Sequence, residues 1–170
     1  MSYVQISKST ITSPTANVDI TGITDTNIYM LSIRNLTSDN SSGGHAIMRV
    51  LDGGTPDTNS IYSQAEYNIR SDTTHSIGSR DNQTYWFISH LLSTTTQSQH
   101  NTIIFLYDFH VSDQNSYIVN LPSDWRSSAA LFSRLGSSVH KADQSNNGVR
   151  IQMDNGNINT AEITLYKVLT

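Results

Sequence analysis

At 170 residues the chain is the size of one domain, long enough to bury a core without crosslinks, and its lack of cysteine excludes disulfides, thiolate metal sites and cysteine nucleophiles. Its net charge of −4, with arginines scattered along the chain, argues against a phosphate-binding surface and therefore against nucleic acid as a partner. Ser, Thr, Asn and Gln make up 67 residues while Glu, Lys and Ala number only 2, 3 and 7, a balance that starves helices of their usual exposed residues and points to an all-β domain.

Alternating apolar and polar runs, separated by turn signals, predict about ten strands. The first are 3–7 and 17–21. They are followed by 28–36, whose two faces are both apolar enough for a central strand. Next comes 45–51, ending in the turn-forming Asp52-Gly53-Gly54-Thr55-Pro56-Asp57. Residues 61–69 read as a strand or as a short helical piece through Ser63-Gln64-Ala65-Glu66-Tyr67. The clearest core signal lies in 84–92 and 102–111, expected to be central, paired strands. In the second of these Ile103, Phe105, Tyr107, Phe109 and Val111 share one face. The polar tract 93–99 between them lacks Gly and Pro and is expected to be an exposed loop. Strands at 116–121 and 129–135 follow. The last two, 148–153 and 160–168, flank Asp154-Asn155-Gly156-Asn157, and Asn-Gly predicts a closing β-hairpin. The pattern is that of a single antiparallel β-sandwich over residues 1–170, jelly-roll-like, with no linker or repeat.

No catalytic or metal-binding constellation stands out. His90, His100 and His110 recur every ten residues, and Asp108 and His110 would share a strand face, but no zinc-type spacing accompanies them. They are expected to be loop or strand-edge histidines. With 25 Ser and 12 Asp, a Ser near a His arises by chance, and no nucleophile elbow singles one out. Glu66 and Glu162, the two glutamates, are expected at solvated outward positions, which leaves no carboxylate pair for glycoside chemistry. The Asp-rich turns lack calcium-loop spacing, and the three Asn-x-Ser/Thr matches, at Asn35, Asn40 and Asn82, follow from composition. The expectation is thus a non-enzyme with no cofactor. Trp86 is expected in the core. Trp125, expected in the loop Leu121-Pro122-Ser123-Asp124-Trp125-Arg126, is a candidate contact for a glycan or protein partner, as is Tyr67.

No apolar run approaches the roughly 20 residues of a membrane span, and Met1-Ser2-Tyr3-Val4-Gln5-Ile6-Ser7-Lys8 lacks the basic start and apolar stretch of a signal peptide. The sequence therefore predicts neither a membrane protein nor an exported one.

Two stretches carry a resemblance. Ile11-Thr12-Ser13-Pro14-Thr15-Ala16-Asn17-Val18-Asp19-Ile20-Thr21-Gly22-Ile23, with Tyr29 and Ile33-Arg34-Asn35-Leu36, resembles the start of β-rich virion proteins of tailed phages, particularly of aquatic bacteria. Asn147-Gly148-Val149-Arg150-Ile151-Gln152-Met153, then Gly156-Asn157-Ile158 and Ile163-Thr164-Leu165-Tyr166, is similar to their closing hairpin. The resemblance implies a non-enzymatic virion component, often a homotrimer, made in the host cytoplasm. It would act as a decoration or cement protein bound to the major capsid protein or another virion protein, or as a tail-fibre or tail-tip module recognising host surface glycan. The N-terminal anchor or shaft of the long fibre proteins is not recognisable in this sequence.

Overall fold

A computed structural model describes residues 2–71, 75–94, 98–126 and 130–169. Among them lie thirteen strands and no helix: β1 (Ser2–Ile11), β2 (Asn17–Thr21), β3 (Tyr29–Ser38), β4 (Gly44–Asp52), β5 (Thr55–Pro56), β6 (Tyr62–Arg70), β7 (Ser76–Gln83), β8 (Trp86–Leu92), β9 (Gln99–Tyr107), β10 (Ser116–Arg126), β11 (Ala130–His140), β12 (Gly148–Met153) and β13 (Ile158–Leu169). All pairings are antiparallel and fall into two sheets. The larger runs β1-β13-β3-β9-β10-β11-β6-β7. The smaller runs β2-β12-β4-β5, with β8 also paired to β4. The protein is an all-β sandwich. Its apolar core lies between the sheets, where Leu31, Ile33, Ile163 and Leu165 of the larger meet Met48, Val50, Val149, Ile151, Trp86 and Ile88 of the smaller, all fully buried.

The alternative helical reading of 61–69 is settled as strand, because Tyr62, Gln64 and Glu66 point inward while Ala65, Tyr67 and Ile69 point outward. Two pairing expectations fail for one physical reason: a short connection joins neighbours in space, but in a sandwich the neighbour can lie in the opposite sheet. β8 and β9 do not pair; β8 belongs to the smaller sheet, and β9 lies between β3 and β10. Of the loop expected at 93–99, residues 95–97 lie outside the described residues, Ser98 is buried and Gln99 already begins β9. The start of the strand predicted at 129 also lies outside the described residues.

The expected C-terminal hairpin is likewise absent. β12 pairs with β2 and β4, whereas β13 pairs with β1 and β3, so the Asn155-Gly156 turn carries the chain from one sheet to the other. This corner is clasped by the β3–β4 connection. Asp39 accepts hydrogen bonds from the Asn157 backbone N–H (2.7 Å) and side-chain amide (2.8 Å), while Asp154 accepts from the His45 N–H at 2.7 Å. Gly156 has φ +84°, and a Cβ there would meet Asp39 Oδ1 at 2.7 Å and Asn40 Cβ at 2.8 Å. Glycine serves here for a left-handed turn and for close approach of a second loop, not for a two-residue hairpin.

Candidate interaction face

Strands β9, β10, β11 and β6 form one half of the larger sheet, and in this half the usual arrangement of side chains is turned round. The inward positions are largely polar: His100 and Thr102 on β9, Asn120 and Asp124 on β10, Arg134, Ser138 and His140 on β11, and Gln64 and Glu66 on β6, all buried. The outward positions carry the large apolar side chains. This corrects the expected core face of 102–111: Ile103, Phe105 and Tyr107 face outward, while Ile104 and Leu106 point into the core. A period of two marks two faces but does not say which one is inside.

The buried polar layer is held together by ion pairs and hydrogen bonds. Glu66 lies 2.7 Å from Arg80 and 3.3 Å from Arg134. Arg134 also donates to Asn68 Oδ1 (3.1 Å) and the Ser89 carbonyl (3.2 Å). Burial pushes the Arg134 guanidinium below its ordinary value, opposed by the charge of Glu66. Glu66 is therefore not the solvated outward residue expected from sequence. Glu162 does sit outward, partly exposed between Lys8 at 2.9 Å and Arg34 at 3.3 Å. Asn120 donates to the Ile88 carbonyl (3.1 Å) and accepts from Thr102 Oγ1 (2.6 Å), and Gln64 donates to the Phe87 carbonyl at 2.7 Å. Most buried polar groups are thereby partnered, as burial demands.

Of the three histidines expected at loop or strand-edge positions, His110 lies in the turn after β9 and His90 on β8, which among the described residues pairs with β4 alone, while His100 departs from the expectation. His100 is fully buried within β9, its Nδ1 bonded to Asp124 Oδ1, and Asp124 Oδ2 accepts from the His90 N–H at 2.6 Å. His90 lies on β8 with its ring stacked on Phe132, centroids 4.1 Å apart. His140 is buried at the end of β11, with Nε2 3.0 Å from Asp57 Oδ2. Burial holds its imidazole pKa below the ordinary value, partly countered by Asp57. Asp108 and His110 lie beyond the end of β9 and do not share a strand face; Asp108 turns the chain with φ +57°. Among the described residues no three His, Asp or Glu side chains converge as a metal site. The His100–Asp124 and His140–Asp57 pairs are sealed from solvent, whereas a third, His45 Nδ1–Asp154 Oδ2 at 3.0 Å, is partly exposed at the corner between the sheets.

Register turns the outward side chains into transverse rows. The central row is Ile103–Leu121–Leu135–Tyr67–Ile77. Ile103 pairs with Leu121, Leu135 with Tyr67 and Tyr67 with Ile77, and Leu121 stands opposite Leu135 in the register that pairs Asn120 with Gly136 and Asp124 with Phe132. Leu121 is 47% exposed, Tyr67 38% and Ile77 85%. One step along the strands, the row on one side is small at its centre, with Ser123 and Ser133, and the row on the other runs Phe105–Val119–Ser137–Ala65, small only toward β11 and β6. Large side chains return one step further, as Trp125 beside Leu131 and as Tyr107 beside Tyr117. The face is therefore ridged. Depressions of about 600 Å³ along Leu121, Leu135, Tyr67 and Ala65, about 340 Å³ along Ile103 and Ser123, and about 310 Å³ along Tyr117 and Ser137 follow the troughs. No outward side chain described on β9, β10, β11 or β6 is charged. The outer face of the smaller sheet contrasts, carrying Arg49 and the Arg150–Asp19 ion pair (2.6 Å).

Both residues singled out from sequence lie on this face. Trp125 is in β10 and not in a loop, because β10 runs through Pro122 to Arg126. Pro122 pairs with Thr102 of β9 but interrupts the β11 side, where it has no N–H to donate. By strand spacing Trp125 and Tyr67 are roughly 16 Å apart, too far to grip one sugar ring together. What the sequence reading missed is the ladder joining Ile103, Leu121, Leu135 and Ile77 to Tyr67. Ile103 is expected on a core face, Leu121 where a strand meets a loop and Ile77 in no strand at all, and only the cross-strand register brings them together on the outside.

No protein-family model matches the chain, and neither does any curated protein. Solved structures similar to it include the exoplasmic/lumenal domain of VIP36 in a Ca2+/Man3GlcNAc-bound form (10% identity, 99% of this chain and 84% of that one, TM-score 0.29). Another is the CBM2 module of the evolved Dit of Lactobacillus casei BL23 phage J-1 (12%, 95% and 76%, 0.26). A third is the family 7 alginate lyase A1-II′ (13%, 85% and 62%, 0.25). These scores are too low to assign the chain to any of the three.

Proposed function

We propose that the protein is a non-enzymatic structural component of a phage virion, a decoration or cement protein on the outside of the head that steadies the shell through protein–protein interfaces. One observation carries the assembly part of this reading: four neighbouring strands present an uncharged, ridged, largely apolar face to solvent while burying their polar side chains. Soluble monomers rarely expose a continuous apolar patch of this kind, and interface cores are depleted in charge in the same way. The resemblance to tailed-phage virion proteins supplies the particle. The test is a phage lacking the protein: its particles are expected to lose density from the head surface and to rupture at a lower temperature. Unchanged capsid stability together with a complete head surface would refute the proposal.

The exposed rings of Trp125 and Tyr67 favour a second reading, a receptor-binding tail module that stacks host glycan on this face. Trp125→Ala separates the two. A glycan binder loses adsorption to cells, whereas a cement protein keeps it.

A further inference from the structure

We infer that the outer face of β9, β10, β11 and β6 is covered by a second copy of the same chain, packed sheet to sheet about a twofold axis. The inference rests on that face being an interface, as proposed above, but not on the virion assignment.

Three observations point to this occupant. The chemistry of the face is aliphatic more than aromatic: the central row offers Ile103, Leu121, Leu135 and Ile77 around a single ring, Tyr67, and no charged group. A saccharide needs several fixed polar partners, and a ridge of leucine and isoleucine provides few. A second sheet needs only matching apolar relief.

The relief matches itself. The central ridge is flanked by a trough on each side, floored by Ser123 and Ser133 on one and, beyond Phe105 and Val119 of the same row, by Ser137 and Ala65 on the other. Outer ridges stand four residues from the central one, roughly 13 Å along the strands. A copy turned over about a twofold axis and displaced by half that repeat sets its central ridge into this copy's trough, and receives this copy's ridge in return. An isologous contact requires such a surface. The depression of about 600 Å³ beside Leu121, Leu135 and Tyr67 is open space that an opposing ridge would fill. The trimer implied by the family resemblance would instead join two unlike patches on each subunit.

The extent also fits. Five strands, including β7, at about 4.8 Å spacing and roughly 27 Å of strand length give a footprint of about 650 Å², close to the roughly 800 Å² per partner of a stable interface. Among the described residues charge returns at the margins, with Asp81 and Lys141 at one corner and Arg34 and Glu162 at the other. This is the layout of an apolar centre with a polar rim.

Sedimentation equilibrium of the purified protein tests the inference. The wild type is expected to be a dimer at about 50 μM, and Leu121→Arg to weaken association by roughly thirtyfold or more while keeping the same far-ultraviolet strand spectrum. Because the chain has no cysteine, a single introduced thiol reports on one place only. Ser137→Cys, in the trough, should crosslink to its mate with a short bismaleimide, and Thr55→Cys, exposed beside β4 in the other sheet, should not. The Ser137→Cys experiment decides the matter if Leu121→Arg does not fold. A wild type that stays monomeric at about 100 μM overturns the inference. So does a dimer that survives Leu121→Arg and is crosslinked through Thr55→Cys. Saturable binding of the monomer to purified capsids or host polysaccharide, abolished by Leu121→Arg, would give the face to that partner instead. If the dimer forms as expected but antibodies find none of the protein on phage particles, the virion reading fails and this one stands.

Discussion

Replacing Glu66 by glutamine tests whether the buried polar layer beneath the face is held by charge. The Glu66 side chain is 2% exposed and faces Arg134, itself 7% exposed, at 3.3 Å, with the more accessible Arg80 at 2.7 Å. At an effective dielectric constant near 20, the Arg134 contact alone amounts to about 5 kcal/mol of attraction, set against the desolvation of both groups. Gln keeps the volume and some hydrogen bonding but leaves the Arg134 charge buried with Asn68, the Ser89 carbonyl and the more distant Asp124. Removing one partner of a buried pair typically costs 3–5 kcal/mol, and the retained hydrogen bonds place this case at about 3. For a domain of this size that is a fall in Tm of roughly 6–12 °C. Urea unfolding near neutral pH, followed by tryptophan fluorescence with Trp86 as the buried reporter, measures it. The double variant Glu66→Leu/Arg134→Met should be closer to wild type than Glu66→Leu alone, because it removes the stranded charge. A loss below about 1 kcal/mol for Glu66→Gln, or a double variant no better than the single, would refute the assignment of a charge-held layer.

Other expected outcomes follow from the same geometry. His140 has a folded-state pKa below its ordinary 6.5, so the folded protein binds fewer protons than the unfolded chain. Stability is therefore full above that value and falls as pH drops through it, with a slope of up to about 1.4 kcal/mol per pH unit from this group. His140→Gln should reduce the slope in urea midpoints as pH falls below about 6.5, and an unchanged slope would exclude His140 as a source. Gly156→Ala forces a Cβ into a left-handed turn against Asp39 and Asn40 and should destabilise by about 2 kcal/mol or more in thermal unfolding. Tyr62→Phe removes the hydroxyl that accepts from the Val50 N–H (3.2 Å) and donates to the Asp57 carbonyl (2.8 Å). Its loss should cost about 1–3 kcal/mol, read as a shift in denaturant midpoint.

Strand positions were largely legible from alternation and composition, since period-two runs and turn residues are local properties. Sheet membership was not. Nothing local distinguishes an Asn155-Gly156 turn that folds a hairpin from one that crosses between sheets, because the difference lies in Asp39, more than a hundred residues earlier in the chain. Trp86 was identifiable as core, since its strand has large apolar residues on both faces. Ile103, Phe105 and Tyr107 were misassigned because their inward neighbours, His100 and Thr102, look like surface residues and are buried only by virtue of Asp124 and Asn120 on the next strand, β10. The face itself was half visible: Trp125 and Tyr67 were singled out as exposed rings, but the ladder of Leu121, Leu135, Ile103 and Ile77 exists only in the register. Pro122 pointed to a loop because a central strand rarely tolerates proline, and the interrupted β11 side shows how the strand accommodates it.

The insertion of β13 between β1 and β3 bears on how the protein is made. On the ribosome, β3 must wait with one edge unpaired, and β1 without any strand of the larger sheet beside it, until residues 158–169 have emerged. The interval is one of exposed backbone hydrogen-bonding groups and exposed Leu31 and Ile33, and it ends only with a pairing across nearly the full length of the chain. Such non-local closure is slow and vulnerable to association with other chains. Variants that weaken the β13 pairing should therefore reduce soluble yield more than their equilibrium stability alone would suggest.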